Sequence, residues 1–541
     1  MNAASDTALA GGWISERPVP LDHNGSTDRP FEAIAPEWLD QPVWNYVEQV
    51  AARDPDHVII DDGTTKVTYR DLVRQVRPLA WRLLAEVPTG KPVALLLRNE
   101  AWFPIVQMAA VAAGLPSVPL DAASAVERKE LLLRESGAGA IVTLDDPAID
   151  LSFVPPGLPV FRIDLQSTDD DDTPLTLVPR DLDAPIMIGF TSGSTGRAKG
   201  IAYSERQMMR LVAEHIAVHH INRDDVILGI ASLTAAGIRE AIVTLLTGAL
   251  LRPLDFKAAG LMEGLRVMRE ERVSFLSFVP SYLRMLMQVP GIEQSFAHLR
   301  VLELGGEVTT KEDVALFRRT LPAGCRISLA FGSTETGLMF RWFVDDAKMV
   351  DGAPLGYLAD GRTIAILGED DLPVVPGEAG EMVVSDAMVA LGYWRDGGID
   401  TSRFRPHAGD PGIRTVRSGD RIRMRPDGLV EFAGRVDRMV KINGLQVDQG
   451  EVESVLKDVA SVADAAVVTR HREGEGAKLI AFVVPRDPAV PLDQAMLRQA
   501  VADEAAEHMI PHTIRTIDEL PRLHNGKPDL VRLAAMAEAD A

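Results

Sequence analysis

Between residues 35 and 433, apolar runs of strand length alternate with segments of helical length, and this order constrains the fold more than any other feature of the chain. Pro92–Leu97 is an unbroken apolar run, and Trp102–Ala113 follows with helical length. Ser117–Leu120 is strand-like, Ala125–Ser136 helical and Ala140–Thr143 again a strand. Short strands that are apolar on both faces, separated by helices, predict a parallel sheet covered on both sides. Val273–Phe278 followed by a helix from Ser281, and Val301–Leu304 followed by a helix from Lys311, continue the pattern. From Gly356 to Phe432, short strands between Pro and Gly turns predict a small antiparallel barrel or sheet. After Asp437 the order becomes helix (Glu451–Val459), two strands (Ala465–Arg470, Lys478–Val484), helix (Leu492–Glu507), strand (Thr513–Ile517) and helix (Asp529–Ala539), a compact α+β unit. The expected organisation is α/β: a flexible tail over 1–34, a large domain over 35–436, and a small mobile domain over 437–541.

A chain of 541 residues can bury a large core without disulfide or metal staples. Its single cysteine, Cys325, excludes a disulfide framework and any Cys-clustered zinc or iron–sulfur site. A net charge of −22 argues against nucleic acid or an anionic membrane as a general partner. The first thirty residues lack the basic start and apolar stretch of an export signal, and the apolar segment Ile105–Leu120 is interrupted by one glycine and two prolines. A soluble, cytoplasmic protein is expected. The acidic run Asp169–Asp172 reads as a solvated surface loop. Among the histidines, the adjacent pair His219-His220 is expected at the surface, at a helix end; no His-Glu-x-x-His pattern marks a metalloprotease.

The densest local signal is Thr191-Ser192-Gly193-Ser194-Thr195-Gly196-Arg197-Ala198-Lys199-Gly200, directly after the apolar run Pro185–Phe190. From Thr191 to Gly196 every residue is a glycine or carries a hydroxyl, a composition that offers backbone N–H groups and short donors to a polyphosphate. It is not a Walker A loop, because Lys199 is followed by Gly200 and an extended segment rather than by Ser/Thr and a helix. The next helix is expected after Ser204, which with Gln207 has capping-box spacing.

That loop resembles the phosphate-binding loop of the adenylate-forming superfamily, which includes acyl-CoA synthetases, luciferases and peptide-synthetase adenylation domains. Further motifs stand in that family's order: Gly305-Gly306-Glu307, Phe331-Gly332-Ser333-Thr334-Glu335-Thr336, Ser418-Gly419-Asp420, Gly434-Arg435-Val436-Asp437, Lys441-Ile442-Asn443-Gly444, Gly450-Glu451-Val452-Glu453 and Asn525-Gly526-Lys527. The variant looks most similar to a free-standing peptide-synthetase-type adenylation domain, with Ala390-Leu391-Gly392-Tyr393-Trp394 among the supporting segments. The resemblance implies ATP and Mg2+, and activation of a carboxylic acid to an acyl-adenylate with release of pyrophosphate. Thr191, Ser192, Gly193, Ser194, Thr195, Gly196 and Lys199 would hold the β- and γ-phosphates, Thr334 the α-phosphate and Glu335 the magnesium ion. Gly305, Gly306, Glu307, Phe331 and Gly332 would frame the adenine, Asp420 the ribose, and Arg435 the ribose or phosphate side. Lys527 would be the catalytic lysine, Asp437 the hinge, and Lys441 part of the face that meets the thiol.

By the same resemblance, Ala235, Arg239, Ser277, Glu303, Gly305, Ala330, Leu338 and Met339 would line the acyl pocket. Ala235 stands where amino-acid-activating relatives carry an aspartate for the α-ammonium, so an ordinary α-amino acid is not expected. Arg239 and Glu303 bear on a polar or charged substrate tail, or on each other. Fourteen residues follow Lys527, too few for a carrier domain. The expected acceptor is therefore a separate acyl or peptidyl carrier protein, or coenzyme A, the latter making the chain an acyl-CoA ligase. A nucleotide-binding scaffold on the same fold, without catalysis, is the reading of a different class.

Overall fold

The computed structural model describes residues 12–15, 29–163, 180–191, 199–230, 235–307, 309–346, 349, 354–368, 370–407, 410–436, 439–442, 445–472, 476–521 and 528–539. Asp169–Asp172, Ser192–Ala198, Asp437, Asn443, Gly444 and Lys527 lie outside them.

Val93–Leu97 is buried at every position, as an unbroken apolar run requires, and it sits inside the first sheet. It pairs in parallel with Ser117–Asp121 and Ala140–Leu144, and Val160–Ile163 extends the sheet beyond the latter. On the other side, Pro185–Thr191 adds in parallel, and Lys199–Ser204 then turns back antiparallel to it. The glycine-rich segment thus joins two paired strands, and Gly392–Arg395 pairs antiparallel with the second of them.

A second, larger sheet contains the parallel strands Val58–Asp61, Leu250–Pro253, Val226–Gly229, Phe275–Phe278, Val301–Gly305 and Arg326–Ser333, in that spatial order. At Arg326–Ser333 the direction reverses. Gly337–Phe343 folds back antiparallel, and Pro354–Leu358, Val430–Arg435, Asp410–Met424, Ala379–Asp386 and Ile364–Leu367 continue outward. The expected antiparallel unit is thus hydrogen-bonded onto the edge of the parallel sheet, with a core of its own around Phe340, Leu358, Met382 and Val430. Within the expected N-terminal tail, Ile14 forms an antiparallel bridge with Ile364.

The helices Trp102–Ala112 and Ala235–Thr247 lie between the two sheets. One continuous apolar cluster joins them to Leu95 and Val118 of the first sheet and to Ile227 and Phe275 of the second. All eleven residues of Trp102–Ala112 are buried, so this helix has no polar face to spare. The helix Glu205–His219 starts where expected. The Ser204 hydroxyl accepts the Gln207 N–H at 3.2 Å, and the Gln207 side chain accepts the Ser204 N–H at 3.0 Å. After residue 438, the hairpin Met439–Ile442/Leu445–Asp448 precedes a three-stranded sheet of Val462–Arg472, Gly476–Pro485 and Thr513–Thr516. The helices Gln449–Asp458 and Gln494–Glu504 share one apolar cluster with it, and Leu530–Ala539 contributes to a second.

Chain reversal after Arg326–Ser333 depends on glycine. A Cβ at Gly332 would lie 2.1 Å from the Gly337 carbonyl oxygen, and Gly337 itself has φ +69°. Gly332→Ala is expected to lower Tm by several degrees, reflecting about 1–3 kcal/mol of overpacking. Gly324→Ala, where a Cβ meets nothing within 4 Å, is expected to leave Tm within about a degree of the parent by the same scaling. Calorimetric melting of both variants checks the contrast.

Candidate active site

The turn that reverses the chain carries Thr334 and Glu335. Ser333 Oγ accepts the backbone N–H groups of Glu335 and Thr336, both at 3.2 Å, and Thr336 Oγ1 accepts the Ser333 N–H at 3.2 Å. This satisfies the turn from within, a role short hydroxyl side chains perform well. The turn is also held from the other sheet. Tyr203 donates its hydroxyl hydrogen to the Thr334 carbonyl, the Ala390 N–H donates to the Glu335 carbonyl at 2.9 Å, and the Tyr393 hydroxyl lies 3.5 Å from Glu335 Oε1. Tyr203 and Tyr393 sit on the strand that leaves the glycine-rich segment and on its neighbour, with Tyr393 opposite Ile201 and Trp394 opposite Gly200. The structure therefore brings Glu335 against the base of that segment. Burial and then the Glu335 charge raise both phenols, Tyr393 to about 12, so both remain protonated donors.

Three rings cluster on the strand leading into this turn and on its neighbours. Phe331 packs against Phe340 and Phe432, and Lys441 Nζ lies 5.2 Å from the Phe331 ring centroid and 3.3 Å from the Gly332 carbonyl, to which it donates. Gly305 runs beside Ala330 so closely that a Cβ would stand 3.0 Å from the Ala330 carbonyl oxygen. Gly306 takes φ +82° at the end of its strand. Asp420 is buried, opposite Arg435 in the strand register, with its N–H on Ser418 Oγ at 3.1 Å. The strand positions of Thr191, Ala235 and Arg435 are described, and their side chains are not. Glu205 stands five residues after Gly200, at the start of the helix Glu205–His219. It points into the core, pairing with Arg180 at 2.7 Å and accepting the Val43 N–H at 2.7 Å.

The expected pocket residues fall into two groups. Ser277, Glu303 and Ser328 stand side by side on adjacent strands, and Gly305 and Ala330 form the next such row. Leu338 lies opposite Gly332 across the hairpin. Met339 is wholly buried in the core around Ile201 and Phe340, apart from that row. Arg239 and Glu303 bond to each other: Arg239 Nη2 donates to Glu303 Oε1 at 2.8 Å. Ser277 Oγ donates to the same oxygen at 3.3 Å, and His219 Nε2 lies 3.0 Å from Oε2.

The histidine is a correction. His219 was expected at the surface because it stands next to His220 near a helix end. It is instead fully buried, as is His215, while His220 beyond it adopts a left-handed conformation at φ 48°. Met208, Val212, His215, Ile216 and His219 recur at helical spacing and form the buried face of the helix Glu205–His219. That periodicity was the available signal. His215 and His219 meet edge-on, both contact Phe275, and His215 Nδ1 lies 3.8 Å from Glu303 Oε2.

These groups shift one another strongly. Burial, followed by nearby charges, lowers His219 to about 4 and His215 well below its ordinary 6.5. Burial pushes Glu303 upward, but Arg239 and the two histidines outweigh it and hold this carboxylate well below its usual range. Glu240 lies 3.9 Å from Arg239, and burial raises it to about 8. The folded island is a charged Arg239–Glu303 pair beside neutral histidines and, at neutral pH, a mostly protonated Glu240.

Against known proteins, residues 47–394 match the family described as AMP-binding enzyme, and residues 451–527 match its C-terminal domain. A probable non-canonical nonribosomal peptide synthetase, CymA of Salinispora arenicola, is 30% identical over 485 residues, which is 89% of this chain and 6% of that protein. The amide bond synthetase McbA from Marinactinospora thermotolerans superposes with a TM-score of 0.79 at 24% identity, over 91% of this chain and 99% of that one. An artificially fused adenylation–PCP di-domain from Klebsiella oxytoca, NpsA-ThdA, gives 0.71 at 22% identity, over 90% and 86%. At these identities the two structures establish the fold. No helix among the described residues is long and apolar enough to cross a membrane.

The titrations of the island have opposite signs. Both histidines bind protons less readily folded than unfolded, so their contribution to stability is lost as pH falls below 6.5, for His219 down to about 4. Glu240 holds its proton more tightly when folded, so it destabilises progressively as pH rises from 4.5 to 8. Each group contributes a slope of up to about 1.4 kcal/mol per pH unit within its window. His215→Asn is expected to flatten the fall of Tm on acidification, and Glu240→Gln to flatten its fall toward pH 8. Three parallel Tm-against-pH curves would contradict this assignment.

Proposed function

Because the chain belongs to the AMP-binding enzyme family, we propose that it activates a carboxylic acid with ATP as an acyl-adenylate and passes the acyl group to the pantetheine thiol of a separate carrier protein. The observation that carries this reading is the Thr334–Glu335 turn, tied by Tyr203 to the strand that leaves the glycine-rich segment and by Ala390 and Tyr393 to the stretch that pairs beside that strand. In this reading the turn meets the α-phosphate, and the Thr191–Lys199 segment takes the β- and γ-phosphates.

In the first step a carboxylate oxygen bonds to the α-phosphorus, the bond to the bridging oxygen breaks, and pyrophosphate leaves with the electron pair. Thr334 donates to the α-phosphate, and Lys527 supplies positive charge between acid and phosphate as charge builds up there. Asp420 takes the ribose hydroxyls, while Phe331 and the Gly305–Glu307 segment hold the adenine. Glu335 fits a magnesium ion: it is an oxygen donor whose described side-chain neighbour is a phenol at 3.5 Å, which leaves lone pairs for a hard cation. Bound there, the ion would neutralise phosphate charge. In the second step the thiolate sulfur bonds to the acyl carbon and AMP leaves.

The acid is not an ordinary α-amino acid. Ala235 carries no charge for an ammonium, and Glu303 already accepts from Arg239, Ser277 and His219. Coenzyme A is the alternative acceptor.

ATP–pyrophosphate exchange with hydroxylamine trapping, run over aryl, fatty, dicarboxylic, β-amino and α-amino acids, is expected to select a non-α-amino acid. Lys527→Ala is expected to cut that exchange about 10²–10³-fold while ATP affinity changes only a few-fold, since its charge acts in the transition state. Unimpaired exchange in this variant would remove Lys527 from the chemistry. Transfer of labelled acyl groups to a pantetheinylated carrier, measured against free coenzyme A, identifies the acceptor.

A further inference from the structure

The direction in which Glu335 leaves the chain is set by the two peptide planes that flank it. The plane between Thr334 and Glu335 is held at both ends. Its N–H donates to Ser333 Oγ at 3.2 Å, within the turn, and its carbonyl accepts from the Tyr203 hydroxyl of the other sheet. The plane between Glu335 and Thr336 is held likewise, its N–H by Ser333 Oγ at 3.2 Å and its carbonyl by the Ala390 N–H at 2.9 Å. A rigid plane anchored at one end pivots, whereas one anchored at both ends does not. Among the described residues, Tyr203 supplies the one hydrogen bond that the Thr334 carbonyl receives.

Tyr203 also carries position from the phosphate side. Lys199, Ile201 and Tyr203 alternate onto one face of the strand Lys199–Ser204. Ile201 is buried there with Met339 and Phe340 of the strand that follows the turn. The Tyr203 ring packs against this cluster and against the larger one between the two sheets. Lys199 stands opposite Thr191, at the exit of the glycine-rich segment. One stiff strand face thus joins the residue proposed to meet the phosphates to the peptide plane that aims Glu335. Four residues of strand make that link roughly 13 Å long. A phenylalanine ring fills the same space, and Ser333 and Thr336 close the turn from within, so the hydroxyl is separable from packing and from the turn's own fold.

We propose that Tyr203 is a positioning residue of the reaction: its bond to the Thr334 carbonyl holds the Glu335 carboxylate in register with the phosphate-binding strand, ready for the metal ion that accompanies ATP. This rests on the acid-activating reading above and adds to it a residue that acts through the backbone of the turn.

The test compares the intact chain with its Tyr203→Phe and Tyr69→Phe variants. Tyr69 donates its hydroxyl to the Leu245 carbonyl at 2.9 Å, the same kind of bond away from the turn, and controls for lost stability alone. Calorimetry without acid reads affinity for Mn2+·ATP and for ATP in EDTA. ATP–pyrophosphate exchange reads kcat and KM, and Tm reports folding. In Tyr203→Phe the advantage of Mn2+·ATP over metal-free ATP is expected to fall about 10-fold, and exchange kcat by at least about 10-fold, because a preorganised site tolerates little misplacement. Metal-free ATP affinity is expected to stay within about 3-fold of the parent, since the groups proposed to hold the nucleotide are unchanged. Tyr69→Phe is expected to keep both the metal advantage and kcat. 4-Aminophenylalanine at position 203 returns an N–H donor to the same carbonyl and is expected to recover most of the loss.

That pattern supports the proposal. Full kcat and metal advantage in Tyr203→Phe overturn it, as does an equal loss in Tyr69→Phe or no recovery with 4-aminophenylalanine. A loss confined to metal-free ATP affinity overturns it by assigning Tyr203 to nucleotide binding. Failure of Tyr203→Phe to fold overturns it by making the bond structural, and a parent without preference for Mn2+·ATP removes the cation from Glu335 and the proposal with it. A metal advantage lost in Tyr203→Phe and restored by 4-aminophenylalanine, with no exchange by any acid even in the parent, supports the role of Tyr203 and instead rejects the acid-activating reading.

Discussion

The position of the Ser333–Gly337 turn governs the rest of the site. It lies where a parallel sheet gives way to an antiparallel one, and its backbone is closed by Ser333 and Thr336 from within. Internal closure alone would leave the turn free to tilt. The bonds from Tyr203 and Ala390, with Tyr393 beside the carboxylate, fix it to a different sheet. Because Tyr203 also belongs to the strand leaving the glycine-rich segment, any motion of that segment's base is felt at Thr334. A carboxylate proposed to hold a cation beside phosphate oxygens must be fixed to a fraction of an ångström to act by preorganisation. Two tyrosines with raised phenol pKa values suit that task, since they stay protonated and do not compete as anions.

Much of this was legible before any coordinates. Val93–Leu97 is an unbroken apolar run and Val301–Leu304 one interrupted only by Glu303, both of strand length, and the Ser204/Gln207 pair marked a helix start to the residue. Thr334, Glu335 and Asp420 were singled out through motifs that resemble those of adenylate-forming enzymes. Tyr203 and Tyr393 were not singled out as its supports, since their role depends on a pairing between strands almost two hundred residues apart, and no local pattern encodes that register. Arg239 and Glu303 left two readings open in the sequence, because an ion pair and a substrate contact use the same residue types. The 2.8 Å bond settles that they meet. His219 was misjudged from its neighbour: adjacency to His220 suggested a surface, while the three-to-four-residue spacing from Met208 pointed inward. The helix obeys the spacing.

The polar island has a further consequence for how the pocket discriminates. An apolar pocket separates substrates by a methylene at a time, which yields only modest ratios. A buried guanidinium works differently, since a ligand that fails to meet it leaves a charge without solvent or partner. The Arg239–Glu303 pair moderates that penalty in the free protein, because each group already has one strong bond, and the bonds from Ser277 and His219 keep Glu303 from swinging toward the ligand. Burial keeps His215 and His219 of the helix Glu205–His219 uncharged near neutral pH, so Arg239 on Oε1 is the cationic partner of Glu303 while His219 meets Oε2. The same buried histidines that lower acid stability are thus what leaves Glu303 to Arg239.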